Sequence, residues 1–496
     1  MRNQVQLITY ADRLAGTIPG LTELLRGPLS GLFGGVHLLP FFTPIDGVDA
    51  GFDPTDHTAV DPRLGTWEDV AALAETVDLM ADLVVNHVSR DSAPFQDFLA
   101  RGDDAPSAGM FLTYDRVFPE GATEADLLRL YRPRPGLPLT DVTLRDHTRR
   151  ILWTTFTGDQ IDLDVDHPAT VAYLQSILDR FAAAGVDIVR LDAVGYAVKT
   201  AGTTCFLTPE TYAFIERLRT WTRQRDMAAL VEIHAHYAQQ LSIARHVDRV
   251  YDFGLSPLVL HGLFTGEVAP LARWLDIRPA NAITVLDTHD GIGVRDVGRD
   301  VTDPERAGLL TEDEIDALVE RIHHHTGGDS RRATGSAAAN VDLYQVNSTY
   351  YDALGRDDRA YLVARLLQLF TPGIPQVYYV GLLAGHNDME LLAATGVGRD
   401  VNRHRYDPGE LEAALDRPVV RDLCALLRFR NAHPAFDGAC DHAVHGRSGL
   451  TLHWRDGSHE AWVTADLATC DVEIGYTHQG RRLRVRDVAD LPDTPG

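Results

Sequence analysis

Along this chain, short runs of consecutive apolar residues alternate with longer stretches in which apolar positions recur every three or four residues. The runs read as strands buried on both faces and the longer stretches as amphipathic helices, an alternation that belongs to a parallel sheet covered by helices. Strands are expected at 5–10, 35–42, 83–87, 187–194, 229–234, 247–253, 283–290 and 375–381. Helical spacing covers 21–29, a segment ending at 77 that Thr66 is placed to cap, 167–184, 209–225, 258–275, 358–370 and 419–429. Eight such units make a (β/α)8 TIM barrel, an α/β fold. The barrel is read as 1–87, 168–290 and 356–435. Inserted loop domains are expected at 88–167 and 291–355, where periodicity fails, and a small C-terminal β-domain of short alternating strands at 436–496.

Three strands break their own apolar pattern. Arg190 and Asp192 stand two apart inside the run Ile188-Val189-Arg190-Leu191-Asp192, so they share a face. Burying charges is costly unless they are paired, and taken alone the pair reads as a structural ion pair. Two further strands also deliver acids at their C-terminal ends: Val231-Glu232-Ile233-His234 and Leu286-Asp287-Thr288-His289-Asp290. Three carboxylates at the end of a barrel where sites are built make a catalytic cluster the better reading. A cation at Arg190 should hold Asp192 ionised, and the apolar neighbours of Glu232 should raise it.

Other candidates lie in loops. The 46–54 loop carries Asp49 and Phe52, either as a ligand-touching rim or as an ordinary Asp/Gly turn. His87 ends the third expected strand, although a lone histidine is more often structural. Tyr131, Arg132 and Arg134 sit in a proline-braced loop at 131–136, which is either a solvated basic loop or an anion site. Phe156 and Gln160 lie near the return to the barrel.

Composition narrows the function. The 496 residues are 45% hydrophobic and carry a net charge of −25, which disfavours nucleic acid or an anionic membrane as partner. No apolar run reaches the length of a membrane span and the N-terminus lacks a secretion signal, so a cytoplasmic location is expected. The four cysteines are far apart, with neither a zinc pattern nor a disulfide framework. Lys199 is the only lysine among 46 lysines and arginines.

Arg190-Leu191-Asp192-Ala193, Val231-Glu232-Ile233-His234 and Leu286-Asp287-Thr288-His289-Asp290, with Asn86-His87, resemble the motifs of the α-amylase superfamily of glycoside-active barrels. Residues 131–136 and 342–347 resemble its branch of retaining phosphorylases that act on sucrose. Val341 stands where that branch leads one to expect Leu, which touches acceptor preference rather than the reaction. The resemblance implies Asp192 as nucleophile, Glu232 as acid/base and Asp290 as a brace for sugar hydroxyls. It implies that His87 and His289 hydrogen-bond glucose, that Asp49 and Arg399 close the far end of the pocket, and that Phe156 faces the developing cation. Arg134, Tyr344 and His234 would receive phosphate, Asp342 and Gln345 would meet the fructosyl group, and Tyr196 would line the acceptor side. Phe52, Tyr131, Gln160 and Arg190 complete the expected substrate contacts. Sucrose and inorganic phosphate are the implied substrates, with no cofactor and no metal; a homodimer through the first insertion is admitted by the resemblance alone. Sister phosphorylases on sucrose 6′-phosphate or glucosylglycerol, and an α-glucoside hydrolase or transglucosidase, are the alternatives. A silent binding barrel is disfavoured because all three acids are present.

Overall fold

The computed structural model describes residues 1–47, 49–134, 136–300, 303, 305–335 and 345–491. Eight parallel strands, β1 (Gln6–Thr9), β2 (Gly35–Leu38), β3 (Asp78–Val84), β4 (Ile188–Asp192), β5 (Ala228–Val231), β6 (Arg249–Asp252), β7 (Ala282–Thr284) and β8 (Ile374–Tyr378), close into a barrel. Each strand pairs with its neighbour in sequence, and β8 closes on β1 through Gln6 opposite Gln376. All eight expected strands form, several of them shorter than the apolar run. β3 ends at Val84, so Asn86 and His87 have already left the barrel, and His87–Ser89 pairs antiparallel with Gln160–Asp162. β7 ends at Thr284, which leaves Asp287 and Asp290 on irregular backbone above it.

Helix ends follow local chemistry. The helix Trp67–Ala74 begins where Asp69 accepts from the Thr66 N–H at 2.8 Å, and Asp358–Phe370 begins where Asp357 accepts from the N–H groups of Arg359 and Ala360. The single helix expected at 258–275 is two, Leu255–Thr265 and Ala269–Ile277. Gly266 stops the first in the left-handed region (φ +67°), and Pro270 sits in the first turn of the second.

The segments read as irregular hold more order than their periodicity indicated. Between β3 and β4 lie the helix Ala93–Arg101 and a hairpin of Leu139–Thr143 with Arg149–Trp153, packed around a core that includes Phe95, Phe98, Phe111, Leu152 and Ile161. Between β7 and β8 the helix Glu312–His325 buries Ile315, Leu318, Val319 and Ile322 at helical spacing, behind a Thr311/Glu314 capping box. Its charge-rich sequence hid that stripe. The C-terminal portion is an antiparallel meander of five strands, Ala439–His445, Gly449–Asp456, His459–Asp466, Asp471–His478 and Arg481–Val485, longer than the short strands expected. It is tied to the barrel helices where the Trp454 indole donates to the Phe370 carbonyl at 2.7 Å.

The two acids of the β7 motif part company. Asp287 is fully buried against Arg365, whose Nη2 reaches both carboxylate oxygens at 2.8 and 2.9 Å. Gly381 lets this pair pack against the β8 loop, because a Cβ there would lie 2.0 Å from Asp287 Oδ2. Asp287 is therefore part of the scaffold, and Asp290 is left to face the opening of the barrel.

Candidate active site

The site is built from the barrel floor upward. Tyr251 on β6 meets His37 on β2 at 3.3 Å, and His37 Nε2 meets Asp82 on β3 at 2.9 Å. Arg190 on β4 then donates through Nη1 to Asp82 Oδ1 at 2.5 Å and to Asp192 Oδ1 at 2.9 Å. The chain of contacts is sealed from solvent up to Asp192. Burial pushes the Asp82 carboxyl up, but His37 and Arg190 outweigh it and leave it at about 2. Arg190, expected among the substrate contacts, is not among the residues that line the cavity and is joined to it by its bond to Asp192.

Asp192 also departs from expectation. Burial drives its pKa well above the ordinary carboxylate range, Arg190 pulls it back only in part, and the charges of Glu232 and Asp82 add to the rise. Arg190 offsets burial only in part because it is shared. One guanidinium serves two carboxylates, and the deeper one takes the shorter contact. A group raised in the folded state favours folding below its unfolded pKa of about 3.9, and that stability is lost as pH rises through the folded value. Asp192→Asn is therefore expected to raise Tm at neutral pH, with the gap over the parent widening from about pH 4 upward. Thermal denaturation from pH 4 to 8 checks this; a variant no more stable than the parent at pH 7 contradicts it.

Ala193, directly after Asp192, is held in the left-handed region (φ +54°), a conformation costly for a residue with a Cβ. The turn it makes leads into the short helix Val194–Tyr196 and sets Tyr196 in the cavity.

Above this floor opens a cavity of about 580 Å³. Asp49, Phe52, His87, Tyr131, Arg134, Phe156, Gln160, Asp192, Tyr196, Glu232, His234, His289, Asp290, Gln345 and Arg399 all line it. Asp342 and Tyr344, also expected here, lie outside the described residues. At one end Arg399 Nη1 bridges Asp290 (2.9 Å) and Asp49 (3.2 Å). Arg403 lies 3.4 Å from the other oxygen of Asp49 and donates to the His289 carbonyl at 3.0 Å. Burial pushes the Asp290 carboxyl up, yet Arg399, with His289, Arg190 and Arg403, more than offsets this and holds it far below the usual range. The same balance of burial against Arg399 and Arg403 keeps Asp49 low. His289 stacks on Phe52 (4.9 Å between centroids, 6° between planes), and burial drops its pKa to about 3. Burial also lowers His87, whose Nε2 lies 2.9 Å from the Phe52 carbonyl. Both imidazoles are neutral near pH 7, able to donate and accept with sugar hydroxyls.

The rest of the lining is largely aromatic and cationic. Phe206 stacks on Tyr131 at 4.5 Å and tilts against Tyr196 at 4.7 Å, while Phe156 meets Tyr196 edge-on at 5.2 Å. Arg129, Arg132, Arg134, Arg295 and Arg299 also line the cavity. His234 stacks on Phe253 at 4.0 Å and lies 3.3 Å from Asp296, 3.1 Å from the Gln345 amide and 3.5 Å from Glu232. Burial alone would lower His234, but Asp296, Glu232 and Asp290 together more than offset it, so this imidazole carries positive charge into a higher pH range than a free one.

Glu232, His234 and Asp290 each offer a ligand atom within 4.8 Å of the others, a spacing that fits a cation. The Asp290 charge is already met by Arg399 and the His234 nitrogens by Asp296 and Gln345, so these groups have protein partners in place of an ion.

Sequence reasoning missed Arg403, Phe206 and the His37–Asp82 pair. Arg403 sits in the same loop as Arg399, which was the available signal. Phe206 lies between two left-handed residues, Cys205 (φ +53°) and Leu207 (φ +50°), in a loop with no periodicity to read.

Residues 12–248 match the model of the α-amylase catalytic domain. The chain is 60% identical to a sucrose phosphorylase of Agrobacterium vitis over 92% of this chain and 93% of that one. It is 54% identical to a sucrose phosphorylase of Bifidobacterium adolescentis, covering 94% and 92%. The crystal structure of sucrose 6F-phosphate phosphorylase from Thermoanaerobacter thermosaccharolyticum superposes with a TM-score of 0.90 at 36% identity, over 98% of both chains. The barrel, its three strand-end acids and these likenesses together make the chain a member of the sucrose phosphorylase family, glycoside phosphorylases built on the α-amylase barrel.

Proposed function

We propose that this chain carries out the retaining phosphorolysis of sucrose, forming α-glucose 1-phosphate and fructose through a glucosyl ester on Asp192, with transglucosylation to other acceptors as a side reaction. The observation that carries the reading is a single cavity that gathers the strand-end acids Asp192, Glu232 and Asp290, an ion-paired group of Asp49, Arg399 and Arg403 set for one neutral sugar, and aromatic and arginine side chains that include Tyr131, Phe156, Tyr196 and Arg134.

In the first step the ionised form of Asp192, the one that Arg190 favours at 2.9 Å, attacks the anomeric carbon from below while Glu232 protonates the departing fructosyl oxygen, and charge builds on the flattened ring. Asp290, held ionised, accepts from the sugar hydroxyls, and neutral His87 and His289 hold the others. Phe156 turns toward His87 at 5.4 Å and offers a π-face to the developing cation. In the second step phosphate displaces Asp192 from the opposite face. Water is far more abundant than phosphate, so the site must hold the anion and shield the ester. Arg134, with His234, whose pKa its acidic neighbours raise, supplies that local attraction in a chain whose net charge of −25 opposes it.

Incubation with sucrose, with and without phosphate, tests the reading. Glucose 1-phosphate of the α configuration, dependent on phosphate, is expected as first product. A β-configured product would mean inversion and would exclude the Asp192 ester. The ion-paired end leads to a separate expectation: soluble starch and maltooligosaccharides should be refused while sucrose is consumed. Release of reducing ends from starch at a rate comparable to sucrose turnover would show that end to be open.

A further inference from the structure

Lys199 is the only lysine among the 46 lysines and arginines of the chain. A lysine ammonium is a compact point charge with three rotatable donors, where arginine presents a planar fork. The structure puts that difference to use. Lys199 Nζ lies 2.6 Å from Asp162 Oδ2 and 2.9 Å from Asn86 Oδ1, and donates its third proton to the Tyr196 carbonyl. Its side chain is 1% exposed and that of Asp162 is fully buried. The remaining capacity of Asp162 is taken up by the Asn86 amide and the Thr155 N–H, each at 3.0 Å, and by the Thr155 hydroxyl at 2.5 Å. Trp153 covers the ammonium at 5.9 Å.

Three separate pieces of chain meet at this one nitrogen. Asn86 immediately precedes His87. Asp162 ends the strand Gln160–Asp162, whose Gln160 amide lies 3.0 Å from His87 Nε2. Tyr196 belongs to the turn that follows Asp192. Each piece carries a cavity-lining residue, whereas Lys199 itself does not line the cavity.

We infer that Lys199 is a positioning residue, whose buried ammonium sets the spacing between the glucose wall (His87, Gln160) and the acceptor wall (Tyr196). The inference rests on the function proposed above. Misplacing reacting groups by about an ångström costs on the order of 100-fold. Loss of this tie should therefore act on catalysis and on partition between phosphate and water, not on stability alone.

The test is Lys199→Ala in the full chain, with Lys199→Arg beside it. The Ala variant is expected to lose about 10- to 100-fold in kcat/KM for sucrose and to shift its product from glucose 1-phosphate toward free glucose at fixed phosphate. Propylammonium, which replaces the atoms removed, should restore part of the parent ratio, and tetramethylammonium at equal ionic strength should not. Lys199→Arg keeps the charge but not the shape and should be folded yet shifted in the same direction. A lowered Tm with kcat, KM and product ratio all at parent values would overturn the inference and leave Lys199 structural. If the Ala variant does not fold, a Lys199→Arg enzyme with parent kinetics overturns it equally. A parent enzyme that forms no glucose 1-phosphate would instead fail the proposed function; the positioning role is then read from the propylammonium response of sucrose cleavage alone.

Discussion

Glu232→Gln is expected to lower kcat/KM for sucrose by about 10²- to 10⁴-fold, while α-glucosyl fluoride is cleaved at close to the parent rate. The difference between the donors is the proton. A fructosyl oxygen leaves as a strong base unless protonated, whereas fluoride leaves as the anion and asks nothing of a general acid. Glu232 is the residue placed to give that proton: it follows the last residue of β5, lines the cavity, and lies 3.5 Å from His234 Nε2. The second step needs little help from a base when phosphate attacks, because the nucleophile is already anionic. The fluoride reaction of the variant should therefore stay dependent on phosphate and still yield the α anomer. Equal losses with both donors would take the proton away from Glu232. Asp192→Asn should abolish turnover of both donors, because no leaving group replaces a missing nucleophile.

Arg134→Ala should raise the KM for phosphate by about ten-fold to a hundred-fold, with a far smaller effect on the step that releases fructose. Arg134 lines the same cavity as the three acids, and its charge helps to keep Asp49 low. A guanidinium meeting phosphate out of bulk water is worth roughly 1.5–3 kcal/mol, which is the size of the expected KM change. The product ratio separates this role from a structural one. At fixed phosphate the variant should release more free glucose than the parent, because the ester waits longer for its anion. A loop brace, by contrast, would weaken both steps together and leave the ratio alone.

How far the site could be read in advance depended on how each contact is made. Asp192, Glu232 and Asp290 were legible because each interrupts or ends an apolar run, and a charge there has no packing reason. Asp49 with Arg399 was legible only through the motifs around them, since 350 residues separate the partners and no periodicity spans that distance. Arg403 completes the same end of the pocket and was passed over, its side chain buried where an exposed loop arginine was the ordinary reading. The error over Asp192 has the same origin. Arg190 two residues away was visible, but Asp82, which takes a share of its charge, comes from another strand 108 residues earlier. The fold was clearer than the site because strand and helix patterns are local. It failed at Gly266 and at Glu312–His325, where one glycine and a charge-rich surface outweighed the apolar stripe.

The burial of Lys199 also bears on how the protein ages. Fructose, the ketose released by the proposed reaction, is a reducing sugar that condenses with exposed amines and slowly browns proteins kept in concentrated syrup. With its one lysine 1% exposed and tied to three oxygens, the chain offers the sugar it makes no ε-amine to glycate, and aldehyde-activated supports find none to grip.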